Sequence, residues 1–151
     1  MTTTNHALTG AFLVVTIDKP YIALPAALLS HFALDVLPHW NHHLPREFLS
    51  RSMLIKIDIV LTLLVLLFFA VANNESPLLA VAGGFLALLP DFIWLPEVLQ
   101  NREVKMTGKS YFYSFRRWHH SIQKSETVSG LLVEAVWFFV FLGLLIFKDW
   151  S

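Results

Sequence analysis

Cysteine is absent from the 151 residues, which excludes disulfides, thiolate metal sites and thiol catalysis and leaves the redox compartment open. Charge is scarce too: Asp, Glu, Lys and Arg together make up 15%, against about a quarter in an ordinary soluble domain. Eleven acidic residues balance eleven basic ones and the pI lies near 7.1, so no basic surplus exists for a nucleic-acid partner, and none is expected. Strand-like alternation, internal repeats and low-complexity tracts are also lacking. The N-terminus, MTTTNHALTG, has no basic n-region and no evident small-residue cleavage site, so it is expected to be retained.

Apolar side chains dominate what remains. Hydrophobic residues account for 56% and the mean hydropathy is +0.60, which points to a membrane protein. The expected fold is a single all-α domain over 1–151, a polytopic membrane bundle of about five hydrophobic helices with membrane lipids around it. The first apolar stretch, Ala7 to Ile17, falls short of the roughly 20 residues a span needs, so it is read as short or re-entrant, with Thr4 or Asn5 as its cap. A second helix runs from about Tyr21 to Leu37, where Pro38 stops it. The third, about Phe48 to Ala72, holds the longest apolar run. The fourth covers about Pro77 to Leu95 with a kink at Pro90, and the last about Val128 to Phe147.

Counting crossings sorts the charges. The N-terminus and the connections near 39–52 and 100–124 share one face, which carries Arg46, Arg51, Lys56, Arg102, Lys105, Lys109, Arg116, Arg117 and Lys124. The opposite face has only Lys19 and Lys148. This bias predicts that the basic face is cytoplasmic and that the protein is a multi-pass inner-membrane protein. The same parity gathers His6, His31, Asp35, His39, Asp58, Asp91, His119 and His120 toward that face.

Ionisable groups at membrane depth mark functional sites, and the run HFALDVLPHWNHH from His31 to His43 concentrates them. His31 and Asp35, four apart, project one turn apart from one helix face, and His39 can swing back after the proline break. Imidazole with carboxylate suits zinc and similar divalent ions; the alternative is a hydrogen-bonded pair bracing the bundle. The expected metal ligands are His6, His31, Asp35, His39, Asp91 and His120, since adjacent imidazoles diverge by about 100° and only one of His119 and His120 can face the site. His42 and His43 are read as residues of the membrane rim. Glu134 is read as a carboxylate holding an imidazole. Tyr111, Phe112, Tyr113 and Trp118 read as an interfacial belt.

These residues bring a resemblance with them. Asn5-His6-Ala7-Leu8, Leu88-Leu89-Pro90-Asp91 and Arg116 with His120-Ser121 resemble, in short pieces across most of the chain, the bacterial inner-membrane family of membrane-bound metal-dependent hydrolases. That family carries an early histidine, an LLPDxDH segment and an HRGxTHS segment. Here Ile93 and Trp94 stand where LLPDxDH has its second acid and its histidine, Phe115 replaces the first histidine of HRGxTHS, and His119 takes the threonine position. HFALDVLPH is also similar to the H-[YF]-x-G-D-x-x-x-P-x-H signature of zinc-dependent phospholipases C, with Leu34 in place of glycine and the end compressed by two residues.

The expected function is therefore an integral membrane metal-dependent hydrolase, acting on a phosphoester or lipid-like substrate at the cytoplasmic face. One or two divalent ions, zinc foremost, would activate water. Asp35 or Asp58 would take its proton, and Arg116 or Arg117 would stabilise a phosphoryl oxygen. Three other readings remain at this point: a non-catalytic metal-binding or transport protein, a haem-binding bundle with two facing histidines, and a structural membrane subunit with a decayed site.

Overall fold

Proline sets several of the boundaries between helices. The computed structural model describes residues 1–40, 51–72, 76–100, 106–123, 125 and 127–147, and among these it contains seven helices and no strand. Helix α1 (Thr3–Thr16) stops before Asp18-Lys19-Pro20, and α2 (Pro20–Val36) begins on Pro20, where a missing N–H costs nothing. Leu37 is extended, as the residue before Pro38 should be. Helix α3 (Arg51–Ala72) follows, then α4 (Pro77–Leu88), again started by proline.

The fourth helix does not run to Leu95 with a kink. Pro90 cannot donate to the carbonyl one turn back, and the chain tightens into a 3-10 turn over Leu89–Ile93 that carries Asp91. A short α5 (Leu95–Leu99) comes next. The polar, aromatic stretch after it holds a further helix, α6 (Tyr111–Ile122), and α7 (Gly130–Ile146) follows. His39 pairs its backbone with the segment entering α7, donating to Ser125 O at 3.1 Å and accepting from Thr127 N at 2.9 Å.

One described helix, Ser52–Val71 within α3, is long and apolar enough to cross a membrane. Helices α2 and α7, of 17 residues each, reach about 26 Å at 1.5 Å per residue, a little under a hydrocarbon core of about 30 Å. Apolar side chains such as Val60, Leu63, Leu67 and Val71 on α3, and Leu132 and Phe139 on α7, point outward.

Helix α1 is the hub, packed against α2, α3, α4 and α7. Its contact with α4 depends on small residues. A Cβ added at Gly10 would land on Gly83 O and Ala87 Cβ, and one at Gly83 would land on Gly10 O and Val14. The two backbones touch because neither position has a side chain. Leu8 and Ala11 of α1 then meet Phe69, Ala80 and Leu145 from α3, α4 and α7 in one cluster. We predict that Gly83→Val lowers stability by about 2 kcal/mol or more through overpacking, read as a fall in the melting temperature in detergent. Gly143, whose added Cβ would meet nothing within 4 Å, is the control: Gly143→Ala should be neutral or stabilising by about 0.5–1 kcal/mol.

Candidate metal centre

The first turn of a helix exposes N–H groups with no partner inside the helix, and in an apolar setting they require acceptors from elsewhere. In α1 these come from other helices rather than from a capping side chain of its own. Asp58 of α3 accepts from the backbone and hydroxyl of both Thr3 and Thr4, at 2.5–3.1 Å. Glu134 of α7 accepts from Thr2 N at 3.1 Å through Oε2 and from Trp40 N at 2.9 Å through Oε1. Asp35 of α2 accepts from the Met1 ammonium at 2.6 Å.

Asp35 divides its two oxygens between this end of α1 and a second group. Oδ1 takes the ammonium and His6 Nε2, at 3.1 Å. Oδ2 faces His119 Nε2 at 3.1 Å, His31 Nε2 at 3.2 Å and the Gln123 amide at 3.0 Å. His31 Nε2 and His119 Nε2 lie 2.9 Å apart. Asp91, at the 3-10 turn, brings Oδ1 to 3.7 Å from His31 Nε2 and 4.0 Å from His119 Nε2.

His31, Asp35, Asp91 and His119 thus offer four donor atoms within 4.8 Å of one another, a group that could hold a metal ion. Ligands bound tetrahedrally at zinc distances sit roughly 3.3 Å from each other, and the separations above bracket that value. His31 is also oriented for the task. Its Nδ1 donates to Ala87 O at 2.7 Å, which leaves the Nε2 lone pair facing the group, the arrangement found behind metal-binding imidazoles. Hydrogen bonds alone assign a complementary state to His119: the Trp94 indole donates to its Nδ1 at 3.3 Å, so Nε2–H is shared between His31 Nε2 and Asp35 Oδ2. Asp91 stands outside that network, because 3.7 and 4.0 Å exceed hydrogen-bond reach and suit a bridging cation or water.

Of the expected ligands, His31, Asp35 and Asp91 come together. His6 stands beside them, its ring stacked on His31 at 4.1 Å and its Nε2 on the far oxygen of Asp35, so it touches the carboxylate rather than the space between the donors. His39 is buried, but its Nδ1 donates to Leu37 O at 2.8 Å and it is not one of the four. The position expected for His120 is filled by His119, which is buried while His120 is exposed. The signal lay in the spacing: His119 shares a face with Arg116, three residues before, and with Gln123, four after.

The residues expected to assist catalysis also have other partners. Asp58 holds the start of α1. Arg116 forms a bidentate pair with Glu97 at 2.6 and 2.7 Å. Arg117 is exposed and donates to Met106 O and Gly108 O. Glu134 meets backbone amides of Thr2 and Trp40 rather than an imidazole. His42, His43, Arg46, Arg102, Lys105, Lys124 and Lys148 lie outside the described residues. Trp94 was noted in the sequence only as standing where LLPDxDH has its histidine, and Glu97 and Gln123 were not singled out, since nothing there distinguishes them from ordinary interfacial residues.

No family model, curated protein or solved structure matches this chain.

The exchange of His120 for His119 can be tested directly. His119→Ala should strip bound divalent metal from protein purified in detergent, as should His31→Ala, whereas His120→Ala should retain the wild-type content, measured by elemental analysis per chain.

Proposed function

We propose that the protein is an integral membrane metal-dependent hydrolase whose metal is held by His31, Asp35 and His119, with Asp91 as the proton acceptor. The observation that carries this reading is the inequality of the four donors. Three of them lie 2.9–3.2 Å from one another and are buried. Asp91 stands further out and its side chain is 18% exposed. Three protein ligands with an accessible fourth position is the pattern of catalytic rather than structural zinc sites.

A divalent ion there, zinc by the donor chemistry, would supply a water acidified toward neutral pH. The chain's own residues do the rest. Ala87 O keeps His31 in the ligating tautomer. His6 and Gln123 hold the two oxygens of Asp35 in place. Asp91, with Oδ1 turned toward the imidazoles, has a second oxygen with which to take the proton.

The membrane reading draws support from the polarity of the bundle. Buried positions include His6, His31, Asp35, Asp58, Arg116 and Glu134, while Leu61, Leu63, Leu64, Leu67 and Phe68 of α3 and Leu131, Leu132 and Phe139 of α7 face outward. So many buried ionisable groups beside so much outward apolar surface suit hydrocarbon surroundings. On α6, Tyr111, Phe112 and Trp118 are exposed while Arg116 and His119 are buried, as expected of a helix lying at headgroup depth. We accordingly infer several membrane-embedded helices, an inner-membrane location and a cytoplasmic site, the last two from the distribution of basic residues. A phosphoester or lipid-like substrate follows from that depth and from the resemblance to membrane-bound metal-dependent hydrolases.

One observation favours a non-catalytic metal-binding or transport role: all four donors fall within 4.8 Å, enough to close a tetrahedron with protein atoms alone. Asp91→Asn separates the two readings. In the hydrolase the variant should keep its metal and lose turnover of p-nitrophenyl phosphodiesters in mixed lipid–detergent micelles by about 100-fold or more, the scale of a lost general base. In a closed site the same change alters a ligand itself and should weaken metal binding by more than the roughly 10- to 100-fold that loss of a ligand's partner costs, with no chelator-sensitive hydrolysis by the wild type.

A further inference from the structure

Two of the four donors, Asp91 and His119, come from segments on either side of an undescribed connection, and one side chain binds both segments. Arg116 is 1% exposed and lies on α6, three residues before His119 and on the same face. Its guanidinium forms two parallel bonds to the Glu97 carboxylate, at 2.6 and 2.7 Å. Nη2 also donates to Ile93 O, the end of the 3-10 turn that carries Asp91. The next residue, Trp94, donates its backbone N–H to Asp91 O at 2.9 Å.

The Trp94 ring completes the connection. The guanidinium carbon lies 5.2 Å from its centroid and 4.5 Å from that of Phe112. The indole in turn stacks on His119, with centroids 5.8 Å apart and planes at 19°, and its Nε1–H reaches His119 Nδ1. Were His119 Nε2 to hold a metal, Nδ1 would carry the proton and could no longer accept from the indole, leaving the ring stack with Trp94 as the contact that orients the imidazole.

We infer that Arg116 is a positioning residue for the metal centre, setting the distance between Asp91 and His119 through Trp94, and that it does not grip the substrate. The inference rests on the reading that His31, Asp35 and His119 hold a cation. Lysine cannot replace arginine here, because a point-like ammonium cannot make the bidentate pair, bind Ile93 O and pack against two rings at once. A substrate-gripping arginine would shift KM and leave metal affinity alone; a positioning arginine changes the affinity itself.

The test uses full-length protein in detergent with cobalt(II) as the probe, comparing wild type, Arg116→Lys, Glu97→Gln and the exposed neighbour Arg117→Gln. Arg116→Lys and Glu97→Gln should each raise the cobalt Kd about 10- to 100-fold, the usual effect of disturbing the partners of metal ligands, and should alter the visible cobalt bands. Arg117→Gln, which removes an exposed positive charge from the same helix, should do neither. Glu97→Gln keeps the shape of the side chain and serves if the lysine variant fails to fold. A second readout needs no metal: in protein labelled with 15N-histidine, His119 should show one fixed tautomer in wild type and an averaged one in both variants. If wild type binds cobalt and both variants bind it equally tightly, the positioning role is wrong while the metal site stands. If wild type binds no cobalt, the metal reading fails, and an unchanged His119 tautomer in the variants would overturn the positioning role as well.

Discussion

Three carboxylates from three helices meet the first turn of α1, and the arrangement of the bundle depends on that meeting. The free N–H groups of a helix start carry partial positive charge, and where they are buried they cannot be left bare. Asp58 comes from α3, Glu134 from α7 and Asp35 from α2. Satisfying the amides of one helix end therefore fixes where α3 and α7 lie, and Asp35 Oδ1 joins α2 to the same end through His6. Because Asp35 turns its second oxygen to His31 and His119, the same constraint sets the edge of the candidate metal centre.

Polarity in this bundle is arranged around that end. Small residues, Gly10, Gly83 and Ala87 among them, bring α1 and α4 into backbone contact, while long apolar side chains of α3 and α7 turn away from the interior. The interior thus accommodates, beside the apolar cluster around Leu8 and Phe69, the groups that need partners, and much of the exterior of α3 and α7 carries groups that need none. Such an order is stable where the surroundings are themselves apolar, since association then relies on close packing and internal hydrogen bonds.

Much of this was legible from helix parity alone. Alternating direction puts the start of α1, the end of α2 and the start of α3 at one level, and the contacts among Thr3, Asp35, Asp58 and His6 lie there. The pair His31 and Asp35 was visible because spacing of four is a local property. What parity cannot supply is rotation about a helix axis. His119 and His120 differ by about 100°, and their order was set by packing against Trp94 and Phe32, contacts between segments far apart in sequence. Asp58 illustrates a second kind of blindness: a carboxylate in an apolar helix looks alike whether it will face a proton, a metal or the amides of another helix.

The tight seam between α1 and α4 reaches further than packing. Gly83 lies one turn before Ala87, and Ala87 offers the carbonyl that receives His31 Nδ1. The thickness of whatever occupies Gly10 or Gly83 thus sets how far that carbonyl stands from α2, and so the tilt of an imidazole that neither glycine touches. The seam acts as a spacer gauge, through which the width of a missing methyl group is transmitted to the aim of a nitrogen lone pair.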